Sequence, residues 1–331
     1  MREILIAGLG SAGRRHLFNL RDLGWPSIRL YRTGRSTLPD ADLAGFPVDH
    51  DLPTALARRP LAVIVSNPSA LHVPLALEAA RAGAHLFIEK PLSHELTGIA
   101  ELESIVADGE LTALVGFQFR FNPGLQQIHA WLRAGAIGDV VCAQVHWGEY
   151  LPGMHPWEDY RVGYAVRPEL GGGVLLTLCH PFDYLRWLLG EFDQVSAIES
   201  RCGAFGISVD TCVDVIARFA CGASAHVHLD FMQRPPNHQL TVIGTEGTIT
   251  WNHADSTARR YHAIGRRWET VPPPDGFERD RMFFDEMQHF LACLRGEAQP
   301  LCTLADGRAA LQVALAAKQA VTEGRLSALA S

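Results

Sequence analysis

No C-x-x-C pair occurs among the seven cysteines of this 331-residue chain, and their number is odd. The spacing supports neither a structural zinc site nor a disulfide framework, and in a reducing compartment scattered cysteines act as small buried hydrophobes. A basic block is also missing. Lys and Arg total 29 against 36 Asp and Glu, a net charge of −7, so nothing points to nucleic acid. No apolar run has the length needed to span a membrane. The first strand signal starts at residue 3, which leaves no room for a signal peptide, so a cytoplasmic location is expected. No repeat or low-complexity tract stands out.

What is present is an ordinary globular composition, 47% hydrophobic and 20% charged, in a chain too long for one typical domain. Residues 1–120 alternate strand signals (3–7, 27–31, 62–66, 85–88, 112–116) with helical stretches such as 71–82 and 94–107. That alternation predicts βαβ units and a parallel sheet. From residue 121 the pattern changes. A helix at 124–134 precedes period-two runs at 140–147, 195–201, 212–219, 224–231, 240–243 and 248–251. Gly244-Thr245-Glu246-Gly247 reads as a hairpin turn. Helices are expected at 173–189, 277–295 and 304–322. The predicted second domain, 121–331, is therefore α+β with one large, open, mainly antiparallel sheet. Such a sheet has a face free to pair with its copy, which predicts a homodimer or homotetramer.

The first strand runs into Gly8-Leu9-Gly10-Ser11-Ala12-Gly13 and then Arg14-Arg15-His16-Leu17. A strand, a tight glycine turn and a helix start are the context that makes this spacing a dinucleotide-site candidate. Gly8 turns the chain off the strand, Gly10 admits a pyrophosphate, and Gly13 lets helix and strand pack. The amides around Ser11 and Ala12 would then face the phosphates. Residues 1–120 thus read as a Rossmann-type domain.

Ligands of open α/β sheets bind beyond the carboxyl ends of the strands. After the second strand comes Tyr31-Arg32-Thr33-Gly34-Arg35-Ser36, with no acid before Asp40. NAD sites place an acid here for the ribose hydroxyl, whereas Arg32, Thr33, Arg35 and Ser36 suit a 2′-phosphate, so NADP is favoured over NAD. Solvated loop arginines are the plainer alternative. After the third strand, Ser66-Asn67-Pro68 makes a turn along the cofactor path, Ser69 reads as a helix cap, and His72 follows. After the fourth comes Glu89-Lys90-Pro91. Lys90 there can bond a substrate hydroxyl and shuttle its proton, with a surface ion pair as the alternative.

Taken together, Gly8–Gly13, Asn67-Pro68 with His72, and Glu89-Lys90-Pro91 resemble the glucose–fructose oxidoreductase/inositol dehydrogenase (Gfo/Idh/MocA) family. The resemblance extends through Gly116-Phe117-Gln118-Phe119-Arg120-Phe121-Asn122-Pro123, where Gln118 reaches the cofactor side. It continues in Gly171-Gly172-Gly173-Val174-Leu175-Leu176-Thr177-Leu178-Cys179-His180-Pro181-Phe182-Asp183 and in the hairpin at Gly244. It implies an NAD(P)-dependent oxidoreductase that interconverts a secondary alcohol and a ketone on a sugar, cyclitol or sugar nucleotide. Lys90 and His180 would be its catalytic pair.

Two departures qualify this. Thr177 stands where many members carry aspartate, three residues before His180 on the same expected helix face, and Asp183 could orient His180 instead. Thr177 would bond a substrate hydroxyl or merely pack. The missing acid after Tyr31 bears on the cofactor only. The loss of the aspartate also motivates the alternative of a catalytically impaired, cofactor-binding sensor or partner protein.

The polar-aromatic loop 148–161 offers Trp157, Tyr160 and Arg161 as substrate contacts, and Arg234 after a later strand is a weaker candidate. His226-Val227-His228 puts two imidazoles on one strand face with no third ligand in view, so a structural role is expected and no metal.

Overall fold

The computed structural model describes residues 3–34, 38, 41–200, 203, 205–324 and 327–328. Two compact units emerge: Met1–Gln118 with Glu169–Gly171 and Arg279–Arg308, and Phe119–Pro168 with Gly172–Glu278 and Ala309–Ser331.

The first unit is built from β1 (Ile4–Ala7), α1 (Ser11–Asp22), β2 (Ile28–Tyr31), β3 (Val48–Asp49), α2 (Leu52–Ala57), β4 (Ala62–Val65), α3 (His72–Arg81), β5 (His85–Glu89), α4 (Ile99–Asp108) and β6 (Ala113–Gly116). The strands lie in the order β3-β2-β1-β4-β5-β6, and every neighbouring pair is parallel. β1 and β4 are buried at every residue, as strands covered on both faces must be. The order reverses between β1 and β4, the switch point at which doubly wound sheets bind ligands.

Three expectations need correction here. β3 was not foreseen, because a two-residue strand leaves no apolar run to detect. α4 starts at Ile99 and not at residue 94, after Gly98 with φ +80°. The division by sequence order also differs from the two units at Glu169–Gly171 and Arg279–Arg308, both of which fall in the first unit. The helix at Arg279–Leu294 buries Met287, Phe290 and Leu291 in the core of Ile4, Ile6, Leu17 and Phe87, so it belongs to the first unit.

The second unit contains α5 (Pro123–Arg133), β7 (Val140–Gly148), α6 (Leu151–Met154), α7 (Val174–Thr177), α8 (His180–Leu189), β8 (Phe192–Glu199), β9 (Cys212–Phe219), β10 (Ser224–Asp230), β11 (Asn237–Gly244), β12 (Gly247–Asn252), β13 (Thr257–His262), β14 (Arg267–Val271) and the short β15 (Ser327–Ala328). These strands form one sheet in the order β14-β13-β12-β11-β7-β10-β9-β8-β15. All pairs are antiparallel except β7 with β10. Alternation works as predicted along β7, which buries Ala143, Val145 and Trp147 and turns Gln144 and His146 outward. β13 and β14 escaped prediction because they are half-exposed and rich in Arg, Glu and Thr. The single helix expected at 173–189 is broken into α7 and α8. Pro181 lacks the N–H that would bond Thr177, so the helix restarts with Pro181 in its first turn, where that donor is not needed. Among the described residues, no helix is long and apolar enough to cross a membrane.

Candidate active site

The glycine turn has three differently constrained positions. Gly8 has φ +100°, and a Cβ there would lie 2.5 Å from the Asn67 amide nitrogen. A Cβ on Gly13 would lie 1.9 Å from the Gly8 carbonyl oxygen, so the start of α1 closes directly onto the turn. Gly10 differs: a Cβ would meet no protein atom within 4 Å, and its φ of −73° suits any residue. Nothing in the protein demands glycine at this position, while a pyrophosphate approaching the backbone would. Beside this open space, α1 starts with no side-chain cap and no acid in its first turn, leaving the amides of Ser11 and Ala12 and the positive dipole end to an anion. The residues therefore fit a dinucleotide. Gly10→Val should leave the melting temperature unchanged and weaken NAD(P)H binding by about tenfold or more, read by cofactor fluorescence. Unchanged affinity would remove the pyrophosphate from this turn.

Neighbouring side chains hold the turn in place. The Ser66 hydroxyl faces the Gly8 carbonyl at 2.9 Å and that of Ala7 at 3.2 Å, so Ser66 supports the turn from within. His72 is buried and directs Nδ1 at the Pro91 carbonyl (2.8 Å) and Nε2 at the Asn67 carbonyl (2.7 Å). Both ring nitrogens thus serve backbone, which makes His72 a clasp between two turns beside the expected cofactor path. Burial lowers its pKa, against the pull of the two carbonyls. Ser69 is not a side-chain cap. It is buried as the first residue of a 3-10 turn that begins after Pro68. Gln118 is buried at the end of the first unit.

Glu89 ends β5 with its carboxylate 2.7 Å from His16 Nε2 on α1, and its other oxygen accepts from the Lys90 amide (3.2 Å). Burial works to raise the pKa of Glu89. The His16 hydrogen bond and the charges of His16, Lys90 and Arg15 outweigh it and hold the group below its usual value. The Glu89-Lys90 pair is therefore not a solvated surface bridge: Glu89 locks the β5 end to the helix of the glycine turn, and Lys90 emerges half-buried from that locked end. The Lys90–Pro91 bond is cis. His16 was missed by sequence reasoning, because its partner lies 73 residues away and no local pattern marks it.

At the end of β2, Gly8 N–H donates to the Tyr31 carbonyl, so Arg32 directly follows a residue tied to the glycine turn. Thr33 is exposed, whereas Arg35 and Ser36 lie outside the described residues. The nearest acid in register is Asp49 on β3, beside Tyr31, and its carboxylate is taken by Arg58 (3.2 Å) and Arg29 (3.5 Å).

In the second unit, Thr177 closes α7 and His180 opens α8, both buried. Gly173 has φ +111°, and the Asp210 carboxylate, which accepts from the Leu175 amide, fills the place a Cβ would take, so glycine is required on both counts. His180 lies edge-on to Phe119 (4.8 Å between centroids) and near Trp147 (5.6 Å), whose ring stacks on His238 at 4.2 Å. Tyr184 Oη is 3.1 Å from His238 Nε2, and burial raises the phenol pKa well above its usual value. Asp183 receives a buried, forked guanidinium from Arg120, at 2.7 and 3.0 Å. Its carboxylate thus fixes α8 through Arg120, a contact the expected orienting role toward His180 did not include.

The loop candidates separate. Arg234 lies over the Tyr150 ring at 4.2 Å, and Phe205 touches both Tyr150 (6.1 Å) and Tyr160 (5.6 Å). Tyr160 and Arg234 are therefore gathered through Tyr150 and Phe205, two residues that sequence reasoning did not single out for this role. Arg161 instead folds onto Asp159 with a forked pair (2.7 and 3.0 Å), and Trp157 is 51% exposed beside His155. His226 and His228 both reach Asp214, at 3.0 and 2.8 Å. The pKa of His228 rises to about 9 because Asp230 and Asp214 bond it, against the effect of burial.

A family model described as oxidoreductase family, NAD-binding Rossmann fold, matches residues 2–117, and one described as GFO/IDH/MocA C-terminal domain matches residues 125–250. The chain belongs to the Gfo/Idh/MocA oxidoreductase family. It is similar to D-xylose 1-dehydrogenase (NADP(+)) 2 of Haloferax volcanii, at 30% identity over 66% of this chain and 67% of that protein. It is also similar to levoglucosan dehydrogenase of Pseudarthrobacter phenanthrenivorans, at 27% identity over 58% of this chain but only 55% of that protein's length. A levoglucosan dehydrogenase structure in complex with NADH and levoglucosan has the same fold, with a TM-score of 0.87, 20% identity and full coverage of both chains.

Proposed function

We propose that this protein is an NAD(P)-dependent dehydrogenase or ketoreductase that interconverts a secondary alcohol and a ketone on a sugar-type ring. The observation that carries the reading is the open space at Gly10 beside the uncapped start of α1, with Lys90 leaving the locked end of β5 in the same unit. Bound nicotinamide would supply the hydride acceptor. Lys90 takes the proton from the substrate hydroxyl as the carbinol C–H is lost, and returns it when the ketone is reduced. His180 is the second proton-transfer group, held by the Phe119 and Trp147 rings. Tyr160 and Arg234, gathered around Tyr150 and Phe205, form the sugar-facing surface, since aromatic faces and forked donors suit polyhydroxyl rings.

Arg32 following Tyr31, with Asp49 already paired, supports NADP as the preferred cofactor. Among the relatives, one is named for NADP(+) and another was solved with NADH. Arg32→Ala should reduce kcat/KM with NADP by about tenfold relative to that with NAD. A parent enzyme that clearly prefers NAD would overturn this assignment. The same reading includes a cytoplasmic homo-oligomer paired through the sheet of the second unit. There Ile198 and Ile216, on adjacent strands, are 73% and 53% exposed. The reading is tested by mixing protein, either cofactor and a panel of sugars and cyclitols, and following reduced nicotinamide by its near-ultraviolet absorbance. Tight cofactor binding without turnover on any member would favour the sensor alternative raised by Thr177.

A further inference from the structure

Strand register in the second unit brings together a donor set that the oxidoreductase reading does not use. On β10, His228 is the register partner of His146 on parallel β7 and of Asp214 on antiparallel β9. Asp230, two residues beyond His228, falls on the same sheet face, because side chains alternate along a strand. We propose that His146, His228 and Asp230 bind a zinc-type divalent cation on this face of the sheet. One ligand atom from each residue lies within 4.8 Å of the others. Small side-chain rotations close that span to metal–ligand bonds of about 2 Å. Two imidazoles and a carboxylate select borderline transition ions over calcium or magnesium.

The surroundings are those of a built site. His228 Nδ1 meets Asp214 Oδ1 at 2.8 Å, which fixes the ring and presents Nε2 toward Asp230 Oδ2, 3.2 Å away. A carboxylate behind a ligating imidazole is the usual supporting arrangement at zinc centres. Asp230 is anchored in turn: its Oδ1 accepts from the amides of Met232 (2.6 Å) and Gln233 (2.7 Å), leaving Oδ2 for the ion. Gln233 Oε1 contacts His146 Nε2 and offers a neutral oxygen at the same spot. A Cβ on Gly148 would lie 2.2 Å from Asp230 Oδ2 and 2.4 Å from Gln233 Oε1, so the backbone there is bare where the donors converge. The ion takes the place of the proton that His228 Nε2 shares with Asp230. His228 and Asp230 are neighbours in the sequence, but the third donor, His146, comes from the much earlier strand β7 and only the register brings it alongside.

The test uses the full-length protein in its native oligomeric state, stripped with a chelator and titrated calorimetrically with zinc chloride. Cobalt(II) absorbance reports the ligand geometry. One zinc per chain is expected. His146→Ala and His228→Ala should each abolish uptake, and Asp214→Asn should weaken it by about 10–100-fold. Circular dichroism of the metal-free variants separates lost binding from lost folding, and His146, on the outward face of β7, is the substitution least able to disturb the core. Absence of zinc uptake by the stripped parent, or uptake unchanged in folded His146→Ala, would overturn the proposal. Neither readout depends on dehydrogenase activity.

Discussion

Replacing Lys90 by methionine is expected to lower kcat by about 100-fold or more while NAD(P)H affinity stays within about twofold. The reasoning rests on position. β5 ends buried, and Glu89 is locked to His16 on the helix that follows the glycine turn. A lysine on such an anchored end has its Cα fixed while its amine remains able to move a proton. Methionine keeps the stem length and apolar packing but has no proton to exchange, so the cofactor cradle at Gly8–Gly13 should be undisturbed. Steady-state kinetics with a responsive sugar, alongside a fluorescence titration of NAD(P)H, separates the two quantities. Near-normal turnover would remove Lys90 from proton transfer. Loss of cofactor affinity would recast it as a binding residue.

Arg120→Ala should destabilise the second unit by about 3–5 kcal/mol, because it strands the Asp183 carboxylate in the interior. Both side chains are almost fully buried, 4% and 1% exposed, and the guanidinium forks onto both carboxylate oxygens. A typical domain has only about 5–15 kcal/mol to lose, so the denaturant midpoint should fall steeply. Asp183 sits one turn after His180 on α8, so loosening it should lower kcat as well, in protein that is still folded at low temperature. The double variant Arg120→Met with Asp183→Leu removes both charges and should recover most of the stability without recovering kcat. Equal stability of Arg120→Ala and the parent would mean that water reaches Asp183.

The parts of the fold that were legible share one property: their signal is local. Val63-Ile64-Val65 and Leu86-Phe87-Ile88 read as buried parallel strands because each is apolar on both faces. The glycine turn read correctly because a strand, a bare turn and a helix must follow one another within about a dozen residues. What escaped depends on distant pairing. The structural part of His72, a bond to two backbone carbonyls, had no local signal, since one of them lies 19 residues away. Arg120 and Asp183 meet across 63 residues. The break between α7 and α8 was readable in principle from Pro181, and was overridden by the expectation of one continuous helix. The return of Arg279–Arg308 to the first unit has no sequence signal, since an amphipathic helix does not say which core it covers.

The central claim, that the open backbone at Gly10 and the proton-transfer group at Lys90 serve one nicotinamide reaction, is tested most directly by a single comparison. The parent, Gly10→Val and Lys90→Met are each given NADP and NAD with a panel of sugars and cyclitols, and formation of reduced nicotinamide is followed by absorbance. The account predicts turnover of at least one sugar by the parent, clearly reduced turnover by Gly10→Val at cofactor concentrations near the parent's KM, and slow turnover by Lys90→Met with normal cofactor affinity. Turnover by Gly10→Val equal to that of the parent, in protein of unchanged stability, would contradict it.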